Sequence, residues 1–120
     1  MTANRLTALR ALENAVGYGT ADEGYCARVW PSESAGGHCT WHNAYRAYLG
    51  SIDAAKALHD AVLPGWDLAS LMDTTDCQAT VRDLNTHAAW IASYDKTPAR
   101  AWLLAVIRAL IWQEENRHDR

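Results

Sequence analysis

Residues 97–111 constrain the fold of this chain more than any other stretch. Thr97-Pro98-Ala99-Arg100-Ala101-Trp102-Leu103-Leu104-Ala105-Val106-Ile107-Arg108-Ala109-Leu110-Ile111 reads as a helix. Thr97 can cap it through its hydroxyl, and Pro98 fits the first turn, where its missing N–H would have no partner in any case. At 3.6 residues per turn, Trp102, Leu103, Leu104, Val106, Ile107, Leu110 and Ile111 sweep an arc of roughly 200°. A surface helix carries a narrower apolar stripe, so this helix is expected to lie across a sheet.

The rest of the chain supplies the elements for that packing. Residues 1–16 form an amphipathic N-terminal helix, with Leu6, Leu9, Leu12 and Val16 on one side and Gly17 at its end. Residues 17–50 are dense in turn formers and are expected to be irregular. Within them, 25–30 alternate as a short strand would, and 43–49 suit a short helix or an extended arm. Residues 51–117 form the expected core. A helix follows Ser51, with Ile52, Ala55, Leu58 and Val62 at helical spacing and Asp53 in the first turn, where the helix dipole favours an anion. Pro64-Gly65 stops it. Strands are expected over 66–72, 78–84 and 87–94, joined by hairpin-length loops, before the wide helix and a polar tail over 113–120. The fold class is α+β. It has an α-β-β-β-α core whose antiparallel sheet is three- or four-stranded and covered by helices. The extra N-terminal helix gives layers of helix, sheet and helix in one domain.

A length of 120 residues supports one such core without disulfides or metal. No apolar run reaches the ~18 residues of a membrane span. The start, Met1-Thr2-Ala3-Asn4-Arg5, lacks the apolar stretch of a secretion signal, so a cytoplasmic setting is expected, with the three cysteines as thiols. The formal net charge is −3 and the 11 Lys and Arg are scattered, which argues against the basic stripe of a nucleic-acid binder.

Three segments resemble a known family. Tyr48-Leu49-Gly50-Ser51-Ile52-Asp53-Ala54-Ala55 is similar to the Y-x-x-S-[IL]-D-A-A segment of small phage and prophage proteins with a "phage ABA sandwich" domain. Leu63-Pro64-Gly65-Trp66 resembles their P-x-G-W step, and Thr97-Pro98-Ala99-Arg100-Ala101 their T-P-A-x-A helix start. The resemblance runs over about residues 45–115. It implies an α/β/α layered fold and a phage or prophage origin, and it brings no chemistry with it. The shared residues look structural: Ser51 as a cap, Ala54 and Ala55 for close packing, Trp66 as a core anchor, Pro98 as a helix starter.

Candidate chemistry is sparse. Cys26, His38, Cys39 and His42 are ligand types that suit tetrahedral zinc, but their spacing matches no standard finger. The plainer reading is thiols and loop histidines without metal. Asp73, Asp76 and Asp83 could form a carboxylate pair for acid–base work, yet Asp is also what a solvent-facing turn uses. His59-Asp60 and His87 read as surface residues near element ends. No serine triad or phosphate-binding loop is present. The element order is also that of double-stranded RNA-binding domains, but the start of the last helix offers only Lys96 and Arg100 where those domains need a basic cluster.

The remaining signal is six Trp in a chain without Phe. Trp and Tyr suit binding surfaces as well as cores. Trp30, Trp41, Tyr45, Tyr48 and Trp112 are the candidate partner-binding residues, for another protein or for a second copy in a homodimer. The expected function is therefore protein–protein binding by a small phage-type protein that is not an enzyme and uses no cofactor. Its most specific form is an anti-CRISPR-like inhibitor of a host antiviral defence complex. The alternatives are a nucleic-acid-associated domain of the double-stranded RNA-binding type and a small metal-dependent enzyme built on the cysteine–histidine loop.

Overall fold

A computed structural model of the chain describes residues 2–31, 37–72, 77–84 and 90–117. The elements follow one another as α1 (Thr2–Tyr18), α2 (Glu23–Val29), α3 (Gly37–Tyr48), α4 (Ile52–Val62), β1 (Trp66–Met72), β2 (Cys77–Asp83), β3 (Trp90–Asp95) and α5 (Pro98–Arg117). The class is α+β, and no described helix is long and apolar enough to cross a membrane.

The wide apolar helix is α5, and it is the hub. Thr97 Oγ1 accepts from the Arg100 N–H at 3.1 Å, and Pro98 opens the helix. Every residue from Ala101 to Ile107, and then Ala109 to Ile111, is buried. One packed face cannot do that. α5 touches the strands on one side and α1, α3 and α4 on the others. Arg108 is the half-buried exception and pairs with Glu13 of α1 at 2.8 Å. Arg10 and Glu115 tie the same two helices together. The polar segment expected over 113–120 continues α5 as far as Arg117.

The strands run antiparallel in the order β1-β2-β3. In β2, Cys77, Ala79, Val81 and Asp83 alternate with Gln78, Thr80 and Arg82, and the first set faces α5. β1 keeps step through a bulge at Ala69. Leu68 lies opposite Val81 and Leu71 opposite Ala79, so two leucines three residues apart reach the same face. Across the other face Arg82 grips Asp67 through two hydrogen bonds of 2.9 Å. That face carries no helix layer among the described residues. The layer order is therefore sheet, then α5, then α1, where the sequence and the family resemblance led to helix, sheet, helix. The reason lies in α5. Its apolar arc is too wide for the sheet to cover, and α1 is drawn to the remainder.

The second correction concerns 17–50. The segment is largely helical in its described parts and contributes no strand. Cys26, Val29 and Trp30 are buried at i, i+3 and i+4, a helical spacing that also passes for strand alternation over so few residues. Asp22 caps α2 by accepting from the Tyr25 N–H at 3.1 Å, and Arg5 of α1 donates to the Val29 carbonyl at 3.2 Å. Of the two readings for 43–49, a short helix or an extended arm, the helix holds: 43–48 are the second half of α3. α3 ends at Tyr48, Gly50 with its φ of +112° reverses the chain, and Ser51 then caps α4 through the Ala54 N–H.

Candidate functional site

The five aromatic candidates do not form one patch. Trp30 is 7% exposed and belongs to the core, because it follows the buried Cys26 by one helical turn. Trp112 is half-buried and stands edge-on to Trp66, with ring centroids 6.0 Å apart. It lies twelve residues along α5 from Arg100, roughly 18 Å at the helical rise. Trp41, Tyr45 and Tyr48 do stay together. They sit on one side of α3 at i, i+4 and i+7, each half-buried, and the two tyrosine rings stack at 6.3 Å.

Two exposed apolar residues extend this stripe: Leu49, which the sequence did not single out, and Ile52, which it read with the apolar positions of α4. Leu49, one turn beyond Tyr45, is 64% exposed, and Ile52 across the Gly50 turn is 39% exposed. Arg100 fixes the corner from beneath. Its guanidinium lies 4.5 Å from the Tyr48 ring centre, donates to the Val16 carbonyl at 2.9 Å and has Nε 3.6 Å from Asp95. Through Arg100 the end of α1 is tied to Tyr48, and Tyr18 at that end of α1 is 83% exposed. The same contacts turn Arg100 inward, so the residue that RNA binding would need at the start of α5 is engaged inside the protein.

His59 is not the surface residue its position suggested. It is 3% exposed. Nδ1 accepts from the Trp102 Nε1–H at 3.0 Å, which leaves Nε2–H to donate to the Trp66 carbonyl at 3.0 Å. With both nitrogens engaged, the ring links α4, β1 and α5. Beside it lies a cleft of about 300 Å³. α4 contributes Lys56, His59 and Asp60 to its lining, and β1 contributes Trp66, Asp67 and Leu68. Trp102 closes it from α5. Lys56 pairs with Asp60 at 2.7 Å. The Arg82 fork holds the Asp67 carboxyl below the usual carboxylate range. A second cleft, of about 320 Å³ between α1 and α5, is lined by the Arg108–Glu13 pair together with Tyr18.

Of the metal candidates, the side chains of Cys26 and His42 are described. Cys26 is buried in α2, and its thiol is pushed up to about 12, first by burial and then by Asp22 and Glu23. His42 is exposed on α3. The side chains of His38 and Cys39 lie outside the described residues, as do Asp73, Asp76 and His87. Asp83, the remaining carboxylate candidate, is buried at the end of β2. No group of three or more His, Cys, Asp or Glu that could hold a metal ion occurs among the described residues. Comparison of the chain with family models, curated proteins and solved structures finds no match.

Proposed function

We propose that this chain works by binding another protein through the corner formed by α3 and the ends of α1 and α4. One observation carries the reading. Trp41 and Tyr45 on α3 and Leu49 just past its end repeat at i, i+4 and i+8, and Leu49 is 64% exposed. Helical anchors at this spacing are one recurring means by which one protein grips another, and Trp and Tyr are enriched among the residues that carry binding energy. The inward-turned Arg100 and the net charge of −3 weigh against a nucleic-acid partner.

The more specific form, an anti-CRISPR-like inhibitor of a host antiviral defence complex, rests on the phage-like motifs around Tyr48, Trp66 and Thr97. The first test compares wild type with Leu49→Ser and Tyr18→Ser. Both positions are exposed, so melting temperatures should stay within a few degrees of wild type. Retention of a host protein on the immobilised chain should fall for both variants. Equal retention by wild type and variants would remove the corner as the binding surface. Expression in a defended bacterium tests the specific form. Phage plating should rise with wild type and not with Leu49→Ser.

A further inference from the structure

We propose that the partner gripped at this corner presents carboxylates beside apolar side chains, as an acidic amphipathic helix does, and that Arg46 receives them. The proposal rests on the protein-binding reading of the corner and names the chemistry of what docks there. His42, Arg46 and Leu49 are exposed at i, i+4 and i+7, so they share the outer ridge of α3 beside the half-buried Tyr45. Leu49 stays on that ridge because its N–H donates to the Tyr45 carbonyl at 3.0 Å, which carries the helical turn one residue further.

The charge of the ridge is one-sided. α3 contains no Asp or Glu, although the chain as a whole has a formal net charge of −3. Other arginines are occupied within the protein. Arg10, Arg82, Arg100 and Arg108 are ion-paired, Arg5 donates to the Val29 carbonyl, and Arg28 lies 5.5 Å from the Tyr25 ring centre. Arg46 has no ion pair, side-chain hydrogen bond or ring contact with any described residue. Asp53 is the nearest acid along the chain. It is exposed in the first turn of α4 and does not pair with Arg46. A guanidinium holds its donors in a fork that matches a carboxylate. A carboxylate brought from outside therefore meets a fork for which no described acid competes, one helical turn from an exposed leucine. A nucleic-acid backbone would need further cations along the ridge, and α3 holds no other Lys or Arg.

The experiment titrates four probes into the full chain and follows the Arg46 Nε–H and Leu49 amide resonances. Three are capped helical peptides that share one leucine stripe and flank it with Glu, with Gln or with Lys. The fourth is a short duplex RNA. The Glu peptide should shift both resonances saturably. The Gln peptide should bind about three- to five-fold more weakly, and the Lys peptide more weakly still. Arg46→Gln keeps an exposed polar side chain, so its melting temperature should stay within a few degrees of wild type. That variant should bind the Glu and Gln peptides alike, and Leu49→Ser should weaken binding of both. The proposal is overturned if the Gln peptide binds wild type as tightly as the Glu peptide, or if Arg46→Gln keeps the preference for Glu. It is also overturned if the Glu peptide gives no saturable shift up to about millimolar concentration. Tighter binding of the duplex RNA than of the Glu peptide at Arg46 overturns it in favour of nucleic acid. Equal binding of the Glu and Gln peptides that Leu49→Ser abolishes removes the acidic partner and leaves the corner in place. The corner itself is judged by protein retention on Leu49→Ser and Tyr18→Ser, so the two readings fail separately.

Discussion

Removing the His59–Trp102 hydrogen bond from each side separately should cost more in sum than removing both partners together. His59 and Trp102 are 3% and 6% exposed, and water has little access to either partner. In His59→Leu, the Trp102 Nε1–H and the Trp66 carbonyl each lose their partner, and a buried polar group left unsatisfied costs about 1–3 kcal/mol. In Trp102→Phe, the acceptor at His59 Nδ1 is stranded at a similar cost, with a packing loss added. The double variant strands neither end of that bond. The loss at the Trp66 carbonyl and the packing loss at 102 occur in both a single and the double variant, so they cancel in the cycle. The two single losses together should therefore exceed the double loss by the two stranded groups, about 2–6 kcal/mol. Urea unfolding of the four proteins, followed by circular dichroism, measures the difference directly. Additivity within about 0.5 kcal/mol would mean that the bond does not join α4 to α5 as described.

Other consequences can be checked separately. Leu103→Ala and Ile107→Ala, both fully buried in α5, should each cost about 2–5 kcal/mol, and losses under about 1 kcal/mol at both would contradict a central helix. Because Arg82 lowers the Asp67 carboxyl on folding, that carboxylate adds stability above its unfolded value of about 3.9, and the gain is lost as the pH falls through the folded value. Arg82→Gln should therefore flatten the acid limb of the stability profile below about pH 4, and an unchanged limb would show that the pair contributes nothing there. The Cys26 thiol, raised on folding from 9.0 to about 12, favours the folded state below pH 9 and ceases to do so as the pH climbs towards 12. At pH 8 iodoacetamide should leave Cys26 of the folded chain intact, as read by peptide mass spectrometry, and modification at the rate of the urea-unfolded chain would refute its burial.

Where local chemistry sets an element, the sequence is easy to read. Thr97-Pro98 starts α5, Ser51 caps α4 and Pro64-Gly65 ends it, since each feature acts within one turn of chain. Residues 25–30 show where this fails. Cys26, Val29 and Trp30 satisfy a helical face, while Tyr25, Ala27 and Val29 satisfy a strand, and six residues are too few for periodicity to decide. Packing on α1 and α3 decides it. The candidate site divides in the same way. Tyr45 and Tyr48 stand out as aromatics beyond the needs of the core, but nothing local distinguishes them from Trp30, which is buried. Leu49 and Tyr18 carry no signal at all, because exposure is a property of what fails to pack against them.

The sequence by itself determined the helices with clear caps, the α+β class and the presence of one helix too apolar for a surface. Those follow from dihedral preference, capping and hydrophobic period, all of which act over a few residues. Only the tertiary structure decided what covers that helix. The apolar arc of α5 states how much surface must be buried and is silent on the partner. The sheet takes one side, α1, α3 and α4 take the others, and the second face of the sheet carries no helix layer among the described residues. The same holds for His59. Its neighbours in sequence resemble a helix end at the surface, and the partners that enclose it stand 7 and 43 residues away.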